Sequence, residues 1–339
     1  MNGLQITWYV IVGVLLTGYA ILDGFDLGAG FWHLFARKDE HRRLVLNAIG
    51  PVWDGNEVWL LAGGGAIFAA FPPVYATVFS GMYVALVLLL GALIARAVAI
   101  EFRGKVRNEC WRRGWDAAFA FGSVTAGLLL GIALGNVMRG VPLDAAGNHA
   151  GGFFSLLNPF SLLIGLCGTV MFATHGALYI TIKTEGELGA SAAGWAKKAW
   201  TAYAVLYLGA SAWGIGVHAH LRGNFDRLPA LWLVPVAAVA AMGLIPVFLR
   251  SGAVVKAFVA SSAAIALHMA TVGACLFPRL VPASNDAALS LTAGNSSSSE
   301  KTLRVMLVLA LIGMPLVIGY TVFAYRTFRG KVKLHENSY

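Results

Sequence analysis

Apolar stretches long enough to cross a membrane recur from one end of the chain to the other, and this pattern constrains the fold more than any other feature. About 20 apolar residues in a helix span the hydrocarbon core of a bilayer, which is roughly 30 Å thick. The chain has 339 residues, of which 58% are hydrophobic and 12% charged, and the apolar stretches leave no segment for a soluble domain. The sequence therefore predicts an all-α polytopic membrane protein and excludes extramembrane enzymes and nucleic-acid-binding proteins.

The apolar pattern predicts nine transmembrane helices. They cover residues 7–35, 50–71, 75–102, 115–138, 155–182, 199–220, 229–249, 254–277 and 303–326. Because no basic residue precedes the first apolar stretch, we expect this stretch to remain as a spanning helix and not to be cleaved as a signal peptide.

The basic residues predict the orientation of these helices. If the nine spans alternate in direction, 18 Lys and Arg residues lie on one side of the membrane and six on the other, with Arg96 inside the third span. Basic loops stay in the cytoplasm, so we expect an external N-terminus and a cytoplasmic C-terminus. The net charge of +9 then reflects topology and not a surface for an anionic partner.

Acidic residues lie inside the first two spans, where charge is costly. The motif LDGFDLGAG contains Asp23 and Asp26, and the motif GPVWDGNEVWLL contains Asp54 and Glu57. A spacing of three residues brings each pair onto one helical face. An ionisable side chain at mid-bilayer costs roughly 2.5 to 3.5 kcal/mol on insertion scales, so we expect these acids to face a protein interior or a hydrated cavity.

Two interpretations of these acids remain open. The predicted orientation places them in the middle to cytoplasmic half of the membrane, and Arg96 and Glu101 at the inner end of the third span lie at a similar depth. The acids could form a proton path together with Asn56, or they could form static ion pairs with Arg96 that only support helix packing. Four acids against one intramembrane arginine leave excess negative charge, which favours the proton path.

Side chains that could hold a cofactor are few. His175 and His268 are the only histidines well inside spans, and such histidines more often join helices than ligate haem, so we expect no haem ligand from this chain. The three cysteines show no metal-binding spacing, and we predict no metal site. Trp53 and Trp59 bracket the acids of the second span, where they could pack in the core or shield a quinone or a partner's haem edge.

The two acidic motifs, in this order and spacing, resemble subunit II of the cytochrome bd-type quinol oxidases. The resemblance is closest up to about residue 110 and extends more loosely over the whole nine-span layout. It implies a terminal oxidase of the bacterial cytoplasmic (inner) membrane, which oxidises quinol and reduces dioxygen to water, generating a proton motive force without pumping. It further implies two haems b and one haem d on a larger subunit I, which would be the partner of this chain. The resemblance leaves two questions open: whether small single-span accessory subunits are present, and whether a quinone binds to this chain.

The family fold is two four-helix bundles with a peripheral ninth helix, although the sequence shows no clear repeat between its halves. The resemblance implies a first bundle over residues 1–140, a second over 141–278, and a loop, ninth helix and cytoplasmic tail over 279–339. The two longest external connections, residues 140–152 and 278–301, lie near these boundaries and are expected to be flexible.

The resemblance also implies roles for individual residues. Asp54 matches the acid proposed to start a proton route from the cytoplasm, and Arg96 matches a buried basic residue near that entrance. Glu57 occupies a motif position where relatives can carry Gln. The remaining matched positions of the two motifs are Asp23, Asp26, Trp53, Asn56 and Trp59.

Two other functions compete with this interpretation. A secondary transporter or cation channel could use the membrane acids to bind a substrate or ion, although no matching acidic pair lies in the second half of the chain. A purely structural subunit would only stabilise a haem-bearing partner, and its acids could be replaced by amides without loss of activity.

Overall fold

The computed structural model describes residues 1–334, and these are helical apart from loops and one small sheet. The helices are α1 (Gly3–His33), α2 (Asp39–Ile49), α3 (Trp53–Ala70), α4 (Pro72–Gly81), α5 (Tyr83–Phe102), α6 (Glu109–Arg139), α7 (Pro159–Lys183), α8 (Gly186–Val217), α9 (Ala219–Arg227), α10 (Leu233–Arg250), α11 (Val254–Leu276) and α12 (Glu300–Thr327). The antiparallel strands β1 (Arg279–Val281) and β2 (Leu291–Thr292) precede α12.

The all-α polytopic architecture is confirmed. Among the described residues, seven helices are long and apolar enough to cross a membrane, namely α1, α5, α6, α7, α10, α11 and α12. The other two predicted spans, 50–71 and 199–220, fall on α3 and α8. Neither α3 nor α8 is among the seven apolar helices. The count of nine spans therefore stays a prediction.

Helix α1 lies at the centre of the fold and packs against α3, α6, α7 and α11. Its segment from Asp23 to Gly30 is completely covered by neighbouring helices. At Gly28 an added Cβ would lie 1.9 Å from the carbonyl oxygen of Phe172 on α7 and 2.8 Å from the backbone nitrogen of Gly176, one turn further along the same helix. Small residues thus allow the two backbones to touch, as is common between membrane helices.

Helix α12 is peripheral. It packs chiefly against α1 and α3, and none of its most apolar stretch is buried by residues 1–334. A helix that is apolar on all sides and uncovered by its own chain must face lipid or another subunit.

Two local features differ from the sequence prediction. The connection between the first two spans, expected to be a basic loop, contains the amphipathic helix α2, which buries Val45, Leu46 and Ile49 and carries Asp39 in its first turn. An acid there interacts favourably with the helix dipole. The predicted third span, 75–102, is divided at Met82 between α4 and α5.

The two longest connections are more ordered than the sequence suggested, because they bind each other. The amide of Leu143 donates to the Asn285 side-chain oxygen at 3.0 Å, and the Asn285 amide group donates to the carbonyl of Leu143 at 2.8 Å. The amide of Val141 also donates to the carbonyl of Pro282 at 3.0 Å. The expectation of two flexible loops is therefore corrected to a single hydrogen-bonded layer over one end of the helices.

Candidate functional site

The centre of the candidate site is an ion pair between α1 and α5. The Arg96 guanidinium donates to both carboxylate oxygens of Asp23, from Nη2 at 2.5 Å and from Nη1 at 3.0 Å. Both side chains are fully buried. Two parallel charge-assisted hydrogen bonds are the strongest arrangement for such a pair. The predicted neighbourhood of Arg96 and the acids of the first motif is thus found in the structure.

Asp26 lies one helical turn further along α1 and has no cation bonded to it. Its Oδ2 accepts a hydrogen bond from the Asn56 side chain on α3 at 2.7 Å. Its Oδ1 is buried and has no partner among the described residues. The Asn56 oxygen accepts from the Tyr325 hydroxyl on α12 at 2.9 Å, so this chain of polar groups joins α1, α3 and α12.

The acids of the second motif lie between this buried cluster and the surface of the chain. The Glu57 carboxylate is 3.9 Å from Arg96 Nη1, and its side chain is 23% exposed. Asp54, one turn earlier on α3, is exposed on this chain. Glu101 is also exposed, near the end of α5. The structure therefore brings together Asp23, Asp26, Asn56, Glu57 and Arg96, and it leaves Asp54 and Glu101 outside the buried cluster.

The two tryptophans of the second motif contact other parts of the chain. Trp59 packs against α1, where an added Cβ at Gly18 would meet the indole ring at 2.2 Å. Trp53 is partly buried and packs at the edge of the core that also contains Phe25, Val52 and Ile100. Both side chains therefore have packing contacts within this chain.

A second buried polar cluster, which the sequence did not predict, lies where α1 ends and α6 begins. One carboxylate, Asp116, accepts from Arg103 Nε at 2.6 Å and from Arg42 Nη1 at 2.9 Å. Its Oδ1 also lies 2.5 Å from Nε2 of His33, at the end of α1. Arg103 in turn donates to Asp39 on α2 at 2.6 Å. We refer to Asp116, His33, Arg42, Arg103 and Asp39 as the Asp116 cluster.

Few sequence signals could have found these residues. Asp116 was placed at the edge of a predicted span, and an acid within a basic segment was the only hint of its role. Tyr325 is separated from Asn56 by 269 residues, and nothing near it in the chain indicates this contact.

The two histidines that lie well inside the predicted spans, His175 and His268, form hydrogen bonds through both ring nitrogens. His175 Nδ1 is 3.0 Å from the Ser261 hydroxyl on α11, and its Nε2 is 3.1 Å from the carbonyl of Ile21 on α1. His268 contacts the carbonyl of Ala264 through Nδ1 and the hydroxyl of Tyr203 through Nε2, at 3.1 Å for the latter. These two side chains thus join α7 to α1 and α11, and α11 to α8.

Comparison with known proteins places this geometry in a family. The family model described as cytochrome bd terminal oxidase subunit II matches residues 4–328. Subunit 2 of the cytochrome bd-I ubiquinol oxidase of Escherichia coli strain K12 is 36% identical over 360 aligned residues, which cover 97% of this chain and 95% of that protein. Subunit 2 of the cytochrome bd ubiquinol oxidase of Bacillus subtilis strain 168 is 38% identical over 338 residues, covering 99% of both chains.

A solved structure shows the same fold. The bd oxidase from Geobacillus thermodenitrificans matches with a TM-score of 0.77 over 96% of this chain and 99% of the other, at 20% sequence identity. The family model and the curated relatives both extend over almost the entire sequence, and the oxidase interpretation therefore replaces the transporter alternative. The chain belongs to the family of cytochrome bd terminal oxidase subunit II.

Proposed function

We propose that this chain, as subunit II of a membrane-bound quinol oxidase, supplies a proton path from the cytoplasm through the acidic cluster of α1 and α3. The observation that carries the proposal is the gradient of burial along the acids. Asp54 is exposed, Glu57 is 23% exposed and 3.9 Å from Arg96, and Asp23 and Asp26 are completely buried. Acids that run from the surface into a membrane interior are typical of proton relays.

The charge balance of the cluster supports a mobile proton. Arg96 is the single cation bonded to these acids in the described structure, and Asp23 occupies both of its Nη atoms. Asp26 receives one hydrogen bond, from a neutral amide, and has a free buried oxygen. A buried carboxylate without a paired cation is costly, and a bound proton removes that cost. We assign the structural role to the Arg96–Asp23 pair and the proton-carrying role to Asp26.

The route begins at Asp54 and continues through Glu57. Asp54 and Glu57 lie one turn apart on α3, and Asn56, between them in the chain, contacts Asp26 directly. Carboxylates beyond hydrogen-bond distance exchange protons through a bridging water. Each carboxylate takes up a proton from the side of Asp54 and releases it towards Asp26. After one proton has passed, every carboxylate is back in its original protonation state.

Electron transfer takes place elsewhere in the complex in this proposal. The names of the relatives support quinol as the electron donor, and haems belong to the bd oxidase complex. We place two haems b, one haem d and the dioxygen site on the partner, subunit I, because the two histidines well inside the spans of this chain use both ring nitrogens in hydrogen bonds. Protons drawn from the cytoplasm store about 2.3 kcal/mol per charge moved across 100 mV.

We also propose nine spans in the bacterial inner membrane, with α3 and α8 as the two that hydropathy alone does not identify. Contacts between helix ends support alternation. Near the start of α1, Trp8 donates to the carbonyl of Leu303 on α12 at 3.0 Å. At the opposite end, Lys183 of α7 donates to the carbonyl of Phe328, after α12, at 2.5 Å. The Asp116 cluster lies at this second end, in agreement with a cytoplasmic side rich in basic residues.

The division into two four-helix bundles and a ninth helix is retained as part of this proposal. The boundaries near residues 140 and 278 follow α6 and α11, and the peripheral position of α12 supports its separation from the rest. Subunit I would cover apolar faces that this chain leaves exposed. A small accessory subunit would need an exposed apolar face that subunit I does not cover.

The experiment that tests the entrance is Asp54→Asn in the complete oxidase complex. We expect quinol oxidation to slow by about tenfold or more, because loss of a positioned proton-transfer group is costly. The optical spectra of the haems should stay unchanged. Glu109→Gln is the matched control, since Glu109 is an exposed acid whose ion-pair partner among the described residues is the exposed Arg113 on α6. Turnover of Asp54→Asn equal to that of the control would remove Asp54 from the path and favour a purely structural subunit.

A further inference from the structure

A pocket of about 360 Å³ lies at the opposite end of the helices from the acidic cluster. It is formed where α6 ends, where α8 passes into α9, and where the β1–β2 segment folds back. Its polar walls carry two arginines, two histidines and two serines, namely Arg139, Arg279, His218, His220, Ser284 and Ser290. None of the lining residues is acidic.

The positive charge of this pocket is not balanced within the described part of the chain. Neither Arg139 nor Arg279 forms an ion pair with a described acid, whereas nearby Arg222 pairs with Asp226 at 3.0 Å. Like charges facing one cavity repel each other, so their proximity is unfavourable unless an anion lies between them. The pocket therefore has an excess positive charge, which a bound anion would neutralise.

The histidines add free hydrogen-bonding capacity. His220 Nε2 donates to the carbonyl of Met138 at 2.8 Å, which fixes its ring at the end of α6. His218 Nε2 is buried without a partner among residues 1–334, and its ring packs on Phe160. A buried donor or acceptor without a partner is rare in folded proteins and often marks an absent ligand or water.

The position and size of the pocket define the class of the ligand. Its volume lies at the lower end of the range for small-molecule sites and is larger than one inorganic anion requires. Val217, Ala219 and Pro282 form an apolar wall beside the basic groups. The pocket lies at the ends of α6 and α8, which the proposed nine-span topology puts at the membrane surface, where lipid headgroups lie. Arginine binds phosphate with two parallel hydrogen bonds.

We propose that this pocket is a binding site for a phosphate group, held between Arg139 and Arg279 and contacted by His218. Two sources carry this group at the membrane surface, namely the headgroup of an anionic phospholipid and free phosphate in solution. The apolar wall would accommodate the glycerol part of a lipid. The site is separate from the acidic cluster and does not depend on the proton path.

The test uses the complete oxidase complex, stripped of lipid in mild detergent. Native mass spectrometry measures binding of dioleoyl phosphatidylglycerol, with dioleoyl phosphatidylcholine as the zwitterionic comparison. Thermal unfolding with inorganic phosphate at constant ionic strength tests the free anion. The variants are Arg139→Gln and Arg279→Gln, and Arg222→Gln is the matched control, because it removes one positive charge at the same end outside the pocket.

We expect each pocket variant to weaken phosphatidylglycerol binding by about tenfold, the loss for one charge-assisted hydrogen bond, while the control binds like the unmodified complex. Stabilisation by inorganic phosphate that disappears in the same two variants would support the site with free phosphate as its source. The proposal would be overturned if both pocket variants bound phosphatidylglycerol and inorganic phosphate as well as the unmodified complex does. It would also be overturned if Arg222→Gln lost as much binding as the pocket variants. If Arg139→Gln does not assemble, Arg279→Gln in the surface strand decides the outcome.

Discussion

Arg96 on α5 binds both carboxylate oxygens of Asp23 on α1, at 2.5 and 3.0 Å, and neither side chain has any exposed surface. This relationship separates the acids of the site into two groups. Asp23 is neutralised by a fixed partner, whereas Asp26, one turn away, depends on a neutral amide. The same stretch of α1 can therefore hold helices together and carry a proton, because the two tasks fall on different carboxylates.

The first prediction concerns the fixed pair. Asp23→Asn leaves the Arg96 charge buried without a hydrogen-bonded acid, and the remaining ion-pair partner among the described residues is Glu57 at 3.9 Å. We expect a loss of stability of about 3 to 5 kcal/mol, the usual effect of removing one partner of a buried ion pair. Thermal unfolding of the purified complex measures it. Arg113→Gln breaks an exposed pair with Glu109 and should cost less than about 1 kcal/mol. Equal losses of stability in Asp23→Asn and Arg113→Gln would mean that the buried ion pair stabilises the complex no more than an exposed one.

The second prediction concerns the contact between α1 and α7. Gly28→Ala would place a methyl group 1.9 Å from the carbonyl oxygen of Phe172, so the backbones must separate. We expect destabilisation by roughly 1 to 3 kcal/mol, as for other overpacked sites. Gly13→Ala on the same helix is the control, since no other group lies within 4 Å of the added methyl. A complex that tolerates both changes equally would refute the close approach of the two helices.

The third prediction concerns the Asp116 cluster. Asp116→Asn removes the charge shared by His33, Arg42 and Arg103, and we expect α2 to detach from the end of α1. Protease cleavage in the exposed segment around Phe35 should then become several-fold faster, because cleavage follows local opening. The control is Lys38→Gln, which breaks only the exposed ion pair with Glu187. Cleavage of Asp116→Asn at the control rate would show that the cluster does not hold α2 in place.

Much of the architecture could be predicted from the sequence, since long apolar stretches and basic loops are local signals. The spacing of Asp23 and Asp26 predicted a shared helical face, and the depth of Arg96 in its span indicated the neighbourhood that the structure shows. Such predictions succeed where helix periodicity and membrane depth determine position.

Other parts of the site depend on which helices are neighbours, and one sequence does not contain that information. The contact of Asn56 with Tyr325 joins helices that are far apart in the chain. Helix α2 was missed because its two arginines, Arg42 and Arg43, made the segment resemble a loop, although Val45 and Ile49 are spaced for a buried helical face. The order of the two long loops was also missed, because it depends on a contact between distant segments: Asn285 meets its partner Leu143 only in the folded chain.

If a proton moves through Asp26, the rate of proton uptake must depend on this side chain. The complex, fully reduced and reconstituted in vesicles, is exposed to oxygen, and the formation of membrane potential is followed over time. For Asp26→Asn we predict that the proton-linked phase slows by about tenfold or more, with haem spectra and complex yield equal to those of the Glu109→Gln control. A potential that forms at the control rate in Asp26→Asn would show that protons do not pass through Asp26.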